Sequence, residues 1–346
     1  MPLLKIESLN MQYTTRRGPI RAVQDVDLTL EAGESLGIVG ESGSGKTSLA
    51  VSIMKLLPDN ARITGGHIYL DGSDLVTLSE RQMRSVRWRK VAMIFQAAMN
   101  SWNPVYTVGD QIAEVIQTHE PHASRQQARE RIAELFNLVG LAPDRMDHYP
   151  HEYSGGMKQR AVIAMSLACN PRLVIADEPT TALDVIVQEK ILEELDAVRR
   201  RLGMTMIYIS HDVAVIAEVS DRVAVMYAGR LVEVGRASDV FKRARHPYTG
   251  GLMASFPTLY GPKRELVTIP GEPPNLLSPP AGCPFHPRCP YATEECRAKM
   301  PPLEAAGDGA GHIVACWHPL SGQDVRADFE ARAAAASASQ AGGGAA

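Results

Sequence analysis

The sequence predicts an α/β protein with a parallel β-sheet at its core, and two observations support this. Short, wholly apolar runs such as "LGIVG" and "LVIAD" are bounded by turn or acidic residues, as in buried parallel strands. The first run is followed by "KTSLAVSIMKLL", in which apolar residues recur at helical spacing. Strands that alternate with helices in this way form βαβ units, whose sheets are parallel.

Around this core the pattern changes along the chain. Up to about residue 95, period-two runs such as "AVQDVDLTL" alternate with glycine turns, which predicts an antiparallel β edge. From about 97 to 165 the periodicity is helical, with Ser124 as an N-cap. Strands return in "RLVIADE", "TMIYIS" and "RVAVMYAGRLVEVG", and the last of these indicates a hairpin about Ala228 and Gly229.

Composition divides the chain further. After residue 240 proline and cysteine become frequent, and the end, "ARAAAASASQAGGGAA", is of low complexity. We therefore expect an α/β domain over residues 1–240, with an inserted helical subdomain at about 97–165. A small Cys- and Pro-rich extension over 241–322 and a disordered tail over 323–346 would follow.

The overall composition excludes several classes of protein. At 346 residues the chain has room for two domains, and 45% hydrophobic residues support a real core. A net charge of −3 leaves no global basic footprint for nucleic acid, and the basic run Arg81–Lys90 is interpreted as a solvated helix face. No apolar stretch has the length of a membrane span, and the N-terminus lacks the shape of a signal peptide. A cytoplasmic location is expected.

The stretch "GESGSGKTSL" fits the phosphate-binding pattern G-x-x-x-x-G-K-[ST], between a predicted strand and a predicted helix. Glycines allow backbone N–H groups to turn toward phosphate oxygens, and the helix start adds its positive dipole. Lys46 would neutralise the β- and γ-phosphates, and the Thr47 hydroxyl would hold Mg²⁺. The alternative is a glycine-rich turn with a surface lysine. The predicted nucleotide contacts here are Gly40, Ser42, Gly43, Ser44, Gly45, Lys46, Thr47 and Ser48.

Acidic residues end the later strand "LVIAD". Acids at the carboxyl end of such a strand lie beside the phosphate loop, so Asp177 would support Mg²⁺ and Glu178 would polarise an attacking water. A pair of ordinary surface acids is the alternative. His211, after "TMIYIS", could hydrogen-bond a γ-phosphate, although a histidine taken alone is more often structural. Gln96 is a similarly weak signal alone, and Tyr13 is either a base-stacking residue or an exposed strand aromatic.

A second glycine-rich helix start lies in "YSGGMKQRAV". Ser154, Gly155 and Gly156 would expose backbone donors at a helix N-terminus, which suits an anion. A helix cap with two flexible glycines is an equally good reading of this segment taken alone.

The order of these motifs over about residues 3–240 resembles the ATPase subunit of an ABC transporter. The resemblance implies that Tyr13 stacks on adenine, that Gln96 senses Mg²⁺ and water, and that Glu178 is the catalytic base. It implies that Ser154 to Gly156 bind the γ-phosphate of ATP held by the opposite subunit, and that Asp184, in "TALD", lies at the dimer seam. Lys46 and His211 complete the implied catalytic set with Gln96 and Glu178. Met157 departs from the Gln of many relatives, but its glycine neighbours still offer backbone donors.

Four of the five cysteines lie together in the extension, and Cys169 is interpreted as a core thiol. The spacing of the four cysteines in the extension matches neither that of common zinc modules nor that of ferredoxins. Ligation by thiolates suits an iron–sulfur cluster and Zn²⁺ about equally. Reduced thiols without metal are the alternative, and His286, His312 or His318 could replace a cysteine in a zinc site. The predicted ligands are Cys283, Cys289, Cys296 and Cys316.

The extension, with "RHPYTGGLMASFP" and "CPFHPRC", is similar to that of oligopeptide/dipeptide permease ATPases. This resemblance favours a [4Fe–4S] cluster over Zn²⁺. It implies an energy-coupling ATPase for peptide import at the cytoplasmic face of the inner membrane, with a second ATPase subunit, two membrane permease subunits and an external peptide-binding protein as partners, and with no nucleic acid. The alternatives are import of another solute, such as nickel, glutathione or a haem-like ligand, and a soluble ABC ATPase of DNA repair or translation.

Overall fold

A computed structural model describes residues 2–180, 185–255, 268–307, 311–321, 325, 327–332 and 335. For residues 185 and 186 only the backbone is described. The strands are β1 (Leu4–Thr15), β2 (Gly18–Leu30), β3 (Ser35–Val39), β4 (Ala61–Leu70), β5 (Ser73–Asp74), β6 (Val91–Ile94), β7 (Leu173–Asp177), β8 (Thr205–Ile209), β9 (Arg222–Tyr227), β10 (Arg230–Arg236), β11 (Glu304–Ala305) and β12 (Ile313–Val314). The α-helices are α1 (Lys46–Met54), α2 (Glu80–Val86), α3 (Val108–His119), α4 (Arg125–Leu138), α5 (Gly155–Ser166), α6 (Val185–Leu202), α7 (Val213–Val219), α8 (Ala237–Lys242), α9 (Pro247–Ser255) and α10 (Glu294–Ala298).

The larger sheet has the strand order β11-β12-β10-β9-β3-β8-β7-β6. Its five strands from β9 to β6 run parallel, and every residue of β3, β7 and β8 is buried. Wholly apolar runs are expected of strands covered on both faces. The predicted α/β fold with a parallel core is confirmed, and it aligns the carboxyl ends of β3, β6, β7 and β8 at one edge.

The smaller sheet is antiparallel, with the order β2-β1-β4-β5. It accounts for the predicted antiparallel β edge. Apolar side chains from this sheet, among them Leu4, Leu28 and Ile68, form one buried cluster with Leu49 and Ile53 of α1. The smaller sheet therefore covers the helix that follows the phosphate loop.

A helical region lies between β6 and β7, as predicted. Helices α3, α4 and α5 lie here, together with short 3-10 turns, whereas residues 101–107 are not helical. Ser124 caps α4 in a capping box with Gln127, and Ile132 and Phe136 are buried. The N-cap prediction is confirmed.

Two local details differ from what the sequence predicts, which is a buried strand over all of "VAMIFQ" and a solvated helix face for the basic run Arg81–Lys90. β6 ends at Ile94, and Phe95 is 44% exposed. The basic run is only partly a solvated helix face, because α2 ends at Val86 and Arg87 is buried. The Arg87 guanidinium donates to both carboxylate oxygens of Glu80 and to the backbone carbonyls of Met54 and Lys55 at the end of α1, which compensates for its burial.

The hairpin prediction is confirmed. β9 and β10 are antiparallel, and Ala228 and Gly229 between them both have positive φ, 49° and 81°. Two consecutive residues of this conformation make the type I′ turn that matches strand twist. Cys169 is buried in the core, as predicted for a core thiol.

The C-terminal extension is joined to the α/β domain. β12 adds to the larger sheet by pairing with Glu233 and Val234 of β10, and β11 pairs with β12. Residues 327–332, within the segment predicted to be a disordered tail, are helical, and the Phe329 side chain is fully buried. For these residues the structure differs from the prediction, because an aromatic side chain among alanines finds a core. Residues 336–346 lie outside the described residues.

Within the described ranges, none of the helices combines the length and the apolar character needed to cross a bilayer.

Candidate functional site

The glycine-rich loop joins β3 to α1, at the edge of the sheet where the parallel strands end. Gly40 and Gly45 have φ of 153° and 107°, and Gly45 is the N-cap of α1. A Cβ at Gly40 would lie 2.2 Å from the carbonyl oxygen of Met226, and a Cβ at Gly45 would lie 2.3 Å from that of Ala22. Both positions therefore need glycine, for conformation and for space.

Lys46 is held inside this loop. Its Nζ donates to the carbonyl oxygens of Gly40, at 2.7 Å, and of Glu41, at 3.0 Å. Burial lowers the pKa of Lys46, while the nearby carboxylates of Glu178 and Asp177 act to raise it. Ser44 Oγ is buried and has no hydrogen-bond partner within the described residues. The loop thus presents a cation and an unsatisfied hydroxyl to an anionic ligand.

Asp177 is the last residue of β7 and is buried beside the start of α1. Burial raises the pKa of Asp177, and a hydrogen bond from the Thr47 side chain acts to lower it. Its Oδ1 is buried without a hydrogen-bond partner in the part of the chain that the structure describes. An orphaned carboxylate oxygen beside a threonine hydroxyl fits a hard cation such as Mg²⁺, so Asp177 and Thr47 are suited to hold it.

Side chains that follow three neighbouring strands meet at Glu178, which is itself the residue after β7. Gln96 Nε2 donates to its Oε2 at 2.9 Å, and Nδ1 of His211 lies 3.1 Å from its Oε1. Glu178 has a positive φ of 46°, and its N–H donates to the carbonyl of Ile209 at the end of β8. A left-handed conformation is unusual for glutamate and is found where surrounding structure fixes a residue. The structure therefore brings together the predicted Gln96, Glu178 and His211.

Tyr13 lies on β1 close to the phosphate loop. Its hydroxyl is 3.2 Å from Oγ of Ser48 in α1, and its side chain is half-buried. This contact places an aromatic ring beside α1, the helix that follows the phosphate loop. Stacking on adenine stays a prediction.

The second glycine-rich helix start is not joined to this site. Ser154 is the N-cap of α5, and its Oγ accepts from the N–H of Met157 at 3.3 Å. Ser154 and Gly155 are exposed, and among the described residues no hydrogen bond links them or Gly156 to the phosphate loop. Asp184, the predicted residue of the dimer seam, lies outside the described residues.

The structure adds residues that the sequence reading missed. The guanidinium of Arg288, in the extension, forms an ion pair with Glu41 of the phosphate loop, and the Tyr248 hydroxyl accepts from the N–H of Glu41. Glu41 occupies a variable position of the loop pattern, and Arg288 and Tyr248 carry no local motif signal.

The four predicted cysteine ligands line one small pocket. Burial raises the pKa of Cys289 and of Cys316 to about 12, and the neighbouring cysteines act in the same direction. However, no group of three or more His, Cys, Asp or Glu side chains within the described ranges is arranged to hold a metal ion. The structure therefore gives no support to a preformed metal centre.

The three histidines considered as substitutes have other contacts. Nδ1 of His286 lies 2.9 Å from the carbonyl oxygen of Cys283, and Nε2 of His318 lies 2.9 Å from the Thr293 hydroxyl. Nε2 of His312 lies 2.8 Å from Oε1 of Glu233.

Comparisons with known proteins agree over most of the chain. Residues 23–181 match the family described as "ABC transporter", and residues 232–296 match "Oligopeptide/dipeptide transporter, C-terminal region". The chain is 47% identical over 320 residues to the oligopeptide transport ATP-binding protein OppD of Salmonella typhimurium, covering 92% of this chain and 94% of that protein. It is 45% identical over 330 residues to the dipeptide transport ATP-binding protein DppD of Bacillus subtilis, covering 94% and 96%.

Solved structures with the same fold cover the α/β domain. One is the dimeric ATP-binding cassette MJ0796 in a post-hydrolysis state bound to ADP and Pi, with a TM-score of 0.60, 28% identity, and coverage of 68% of this chain and 98% of that one. Another is cbiO1 from Clostridium perfringens, part of the transporter complex cbiONQ, with a TM-score of 0.60, 26% identity, and coverage of 70% and 91%.

Proposed function

Because the chain belongs to the ATP-binding subunits of oligopeptide and dipeptide ABC transporters, we propose that it hydrolyses MgATP to drive peptide import through membrane permease subunits. The observation that carries this proposal is the convergence of Gln96 and His211 on Glu178, at the same sheet edge as Lys46 and Asp177. Phosphoryl transfer depends mostly on positioning and on charge stabilisation, and this edge supplies both.

Each residue is assigned a role by its contacts. The loop from Gly40 to Thr47 binds the phosphates, and the Lys46 ammonium leaves its carbonyl partners for the β- and γ-phosphate oxygens. Thr47 and Asp177 hold Mg²⁺, which neutralises charge on the phosphates. Glu178 orients the attacking water. Gln96 and His211 orient the Glu178 carboxylate, and His211 also contacts the γ-phosphate.

A second ATPase subunit, identical or homologous, completes the site. Support comes from the start of α5, whose exposed Ser154 and Gly155 make no hydrogen bond to this chain's own phosphate loop among the described residues. These donors, with Gly156, bind the γ-phosphate of ATP held by the partner. The cassettes of similar fold have been solved as dimers. Asp184 is assigned to the seam between subunits on sequence alone.

The transported solute is assigned to di- and oligopeptides. The support is the match of the C-terminal region and the names of the relatives. At the cytoplasmic face of the membrane, the chain then acts on two permease subunits. An external peptide-binding protein delivers the peptides to these permease subunits. An importer of another solute with the same machinery is the alternative, and uptake measurements separate the two.

The Cys-rich extension binds a metal in this proposal, a [4Fe–4S] cluster in preference to Zn²⁺. Its support is that four free cysteines line one small pocket, and thiolates are ligands that both an iron–sulfur cluster and Zn²⁺ accept. Iron, acid-labile sulfide and zinc should be measured on the anaerobically purified full-length chain, with Cys169→Ala as the matched control. Colourless protein with stoichiometric zinc would contradict the choice of iron, and metal-free folded protein would contradict both metals.

The decisive experiment joins hydrolysis to uptake. Cells that lack this chain are complemented with wild type, Glu178→Gln or Glu130→Gln, the last an exposed carboxylate of α4 as matched control. We expect Glu178→Gln to bind MgATP but to lose labelled di- and oligopeptide uptake, and Glu130→Gln to behave as wild type. Uptake restored by Glu178→Gln would overturn the catalytic assignment, whereas normal uptake without the chain would overturn the peptide assignment.

A further inference from the structure

The C-terminal extension contacts the phosphate loop through an ion pair between a buried Arg288 and a partly buried Glu41. Arg288 Nη1 donates to Oε2 of Glu41 at 2.6 Å, and Nη2 donates to Oε1 at 2.9 Å. The Arg288 side chain is 5% exposed, and its Nε donates to the carbonyl of Pro270 at 3.0 Å. Its guanidinium carbon lies 5.9 Å from the ring centroid of Tyr227. Such a bidentate, partly buried contact is specific in geometry and strong for its class.

Glu41 is itself part of the loop that surrounds the phosphate site. Its carbonyl oxygen accepts from Nζ of Lys46 at 3.0 Å and from the N–H of Ser44 at 3.2 Å. Its own N–H donates to the hydroxyl of Tyr248 in α9 at 2.8 Å. The Glu41 backbone therefore holds the cation of the loop, while its side chain brings a negative charge close to where phosphates bind.

A bare carboxylate at this position would oppose nucleotide binding. The Glu41 carboxylate and the phosphates of MgATP are both negatively charged. Like charges a few ångströms apart repel strongly in a partly buried environment, so an unpaired Glu41 would weaken the binding of MgATP. The guanidinium of an arginine is always protonated in proteins, and two hydrogen bonds pair it with the Glu41 carboxylate. The pair is neutral as a whole, so Glu41 adds no net negative charge beside Lys46 and the backbone N–H groups of the loop.

We propose that Arg288 of the Cys-rich extension is a positioning residue of the nucleotide site, which neutralises Glu41 so that the phosphate loop attracts MgATP. This inference rests on the proposed function, because it takes the loop to be the ATP-phosphate site. A purely mechanical clamp would make the two partners of the pair equivalent, since removing either one breaks it. If Arg288 acts by neutralising charge, the two substitutions differ in their effect on affinity. Removing the charge of Arg288 weakens MgATP binding, whereas removing the charge of Glu41 does not.

The test is the Kd of MgATP for the full-length chain, measured with a fluorescent analogue and with ATP as competitor. Arg288→Met leaves the carboxylate unpaired and should weaken binding about tenfold at low salt, with a smaller loss at high salt. Glu41→Gln removes the negative charge and should bind MgATP at least as tightly as wild type, although it leaves Arg288 buried without its partner and lowers the Tm. The double variant Arg288→Met/Glu41→Gln should recover most of the lost affinity.

Several outcomes overturn the inference. Equal weakening in Arg288→Met, Glu41→Gln and the double variant would identify a mechanical clamp instead. An unchanged Kd in Arg288→Met would remove any role at the nucleotide site. If Arg288→Met does not fold, Glu41→Gln decides alone, since a tenfold loss there contradicts charge neutralisation.

Controls separate this inference from the proposed function. Arg297→Met removes an exposed arginine of the same extension, paired only with exposed Glu294 among the contacts described, and should leave the Kd unchanged. Lys46→Ala should lose MgATP binding. Binding retained in Lys46→Ala would contradict the phosphate site itself, whereas its loss together with an unchanged Kd in Arg288→Met would contradict the role of Arg288 alone.

Discussion

Nδ1 of His211 lies 3.1 Å from the carboxylate of Glu178, and this distance joins the ends of two neighbouring parallel strands. Gln96 binds the other carboxylate oxygen from the end of β6. The Glu178 side chain is 19% exposed and that of His211 is 71% exposed. Contacts to both carboxylate oxygens orient Glu178, and such orientation is what positioning of a water molecule requires.

Replacing His211 should separate binding from hydrolysis. We expect His211→Ala to reduce kcat for ATP by about 100-fold or more, because Glu178 loses its orienting partner and the γ-phosphate loses a contact. The KM for MgATP should change far less, since Lys46 and the glycine loop remain. Steady-state hydrolysis by the full-length chain measures both constants. The exposed His151→Ala, next to Tyr149 on the helical region, serves as the matched control.

A second prediction concerns the shape of the phosphate loop. Gly45→Ala should lower the free energy of unfolding by about 2–4 kcal/mol, because the added Cβ meets the Ala22 carbonyl at 2.3 Å and φ is 107°. Gly18→Ala is the control, since Gly18 has φ of 125° with nothing within 4 Å of an added Cβ. It should cost only the strain of the conformation, about 1 kcal/mol. Urea unfolding monitored by circular dichroism measures both, and equal losses would contradict the steric argument.

Local pattern predicted most of the fold and most of the site for a physical reason. Buried strands, glycine turns and helix caps are decided by residues within a few positions of each other, and Gln96, Glu178 and His211 each lie within two residues of the end of a strand of one parallel sheet. The pairing of Glu41 with Arg288 spans 247 positions and has no periodicity to reveal it. Nothing local indicated that β12 would extend the sheet either.

Phe329 shows the same limit in the tail. The surrounding sequence is rich in alanine and polar residues, so composition predicted disorder. The structure instead shows residues 327–332 as helical. The Phe329 side chain is fully buried and packs near Phe285, with ring centroids 6.5 Å apart.

Phe329→Ala should therefore destabilise the protein. We expect a loss of about 3–5 kcal/mol in the free energy of unfolding, the cost of removing a buried aromatic side chain. Met300→Ala, a partly exposed apolar residue of the same extension, should change it by less than about 1 kcal/mol. Chemical denaturation measures both variants. A change within error for Phe329→Ala would contradict the contribution of the helical residues 327–332 to stability.

His246 makes stability depend on pH in a stated direction. Burial lowers the pKa of His246 to about 4, with the nearby Glu233 carboxylate opposing the shift, while its Nδ1 accepts from the N–H of Tyr248 at 3.0 Å. Because the unfolded chain binds the proton near pH 6.5 and the folded chain only near pH 4, stability contributed by the neutral ring is present above pH 6.5. It is lost as pH falls from 6.5 toward 4, by up to about 3 kcal/mol.

The measurement is the free energy of unfolding between about pH 7.5, one unit above the pKa of 6.5 in the unfolded chain, and the pKa of about 4 in the folded chain. His246→Gln removes the titrating group and should flatten this part of the profile, even though its stability at pH 7.5 is lower than that of wild type. His286→Gln, a less buried histidine of the extension, is the matched control and should keep the slope of wild type. A slope that persists in His246→Gln would contradict the assignment of the acid sensitivity to His246.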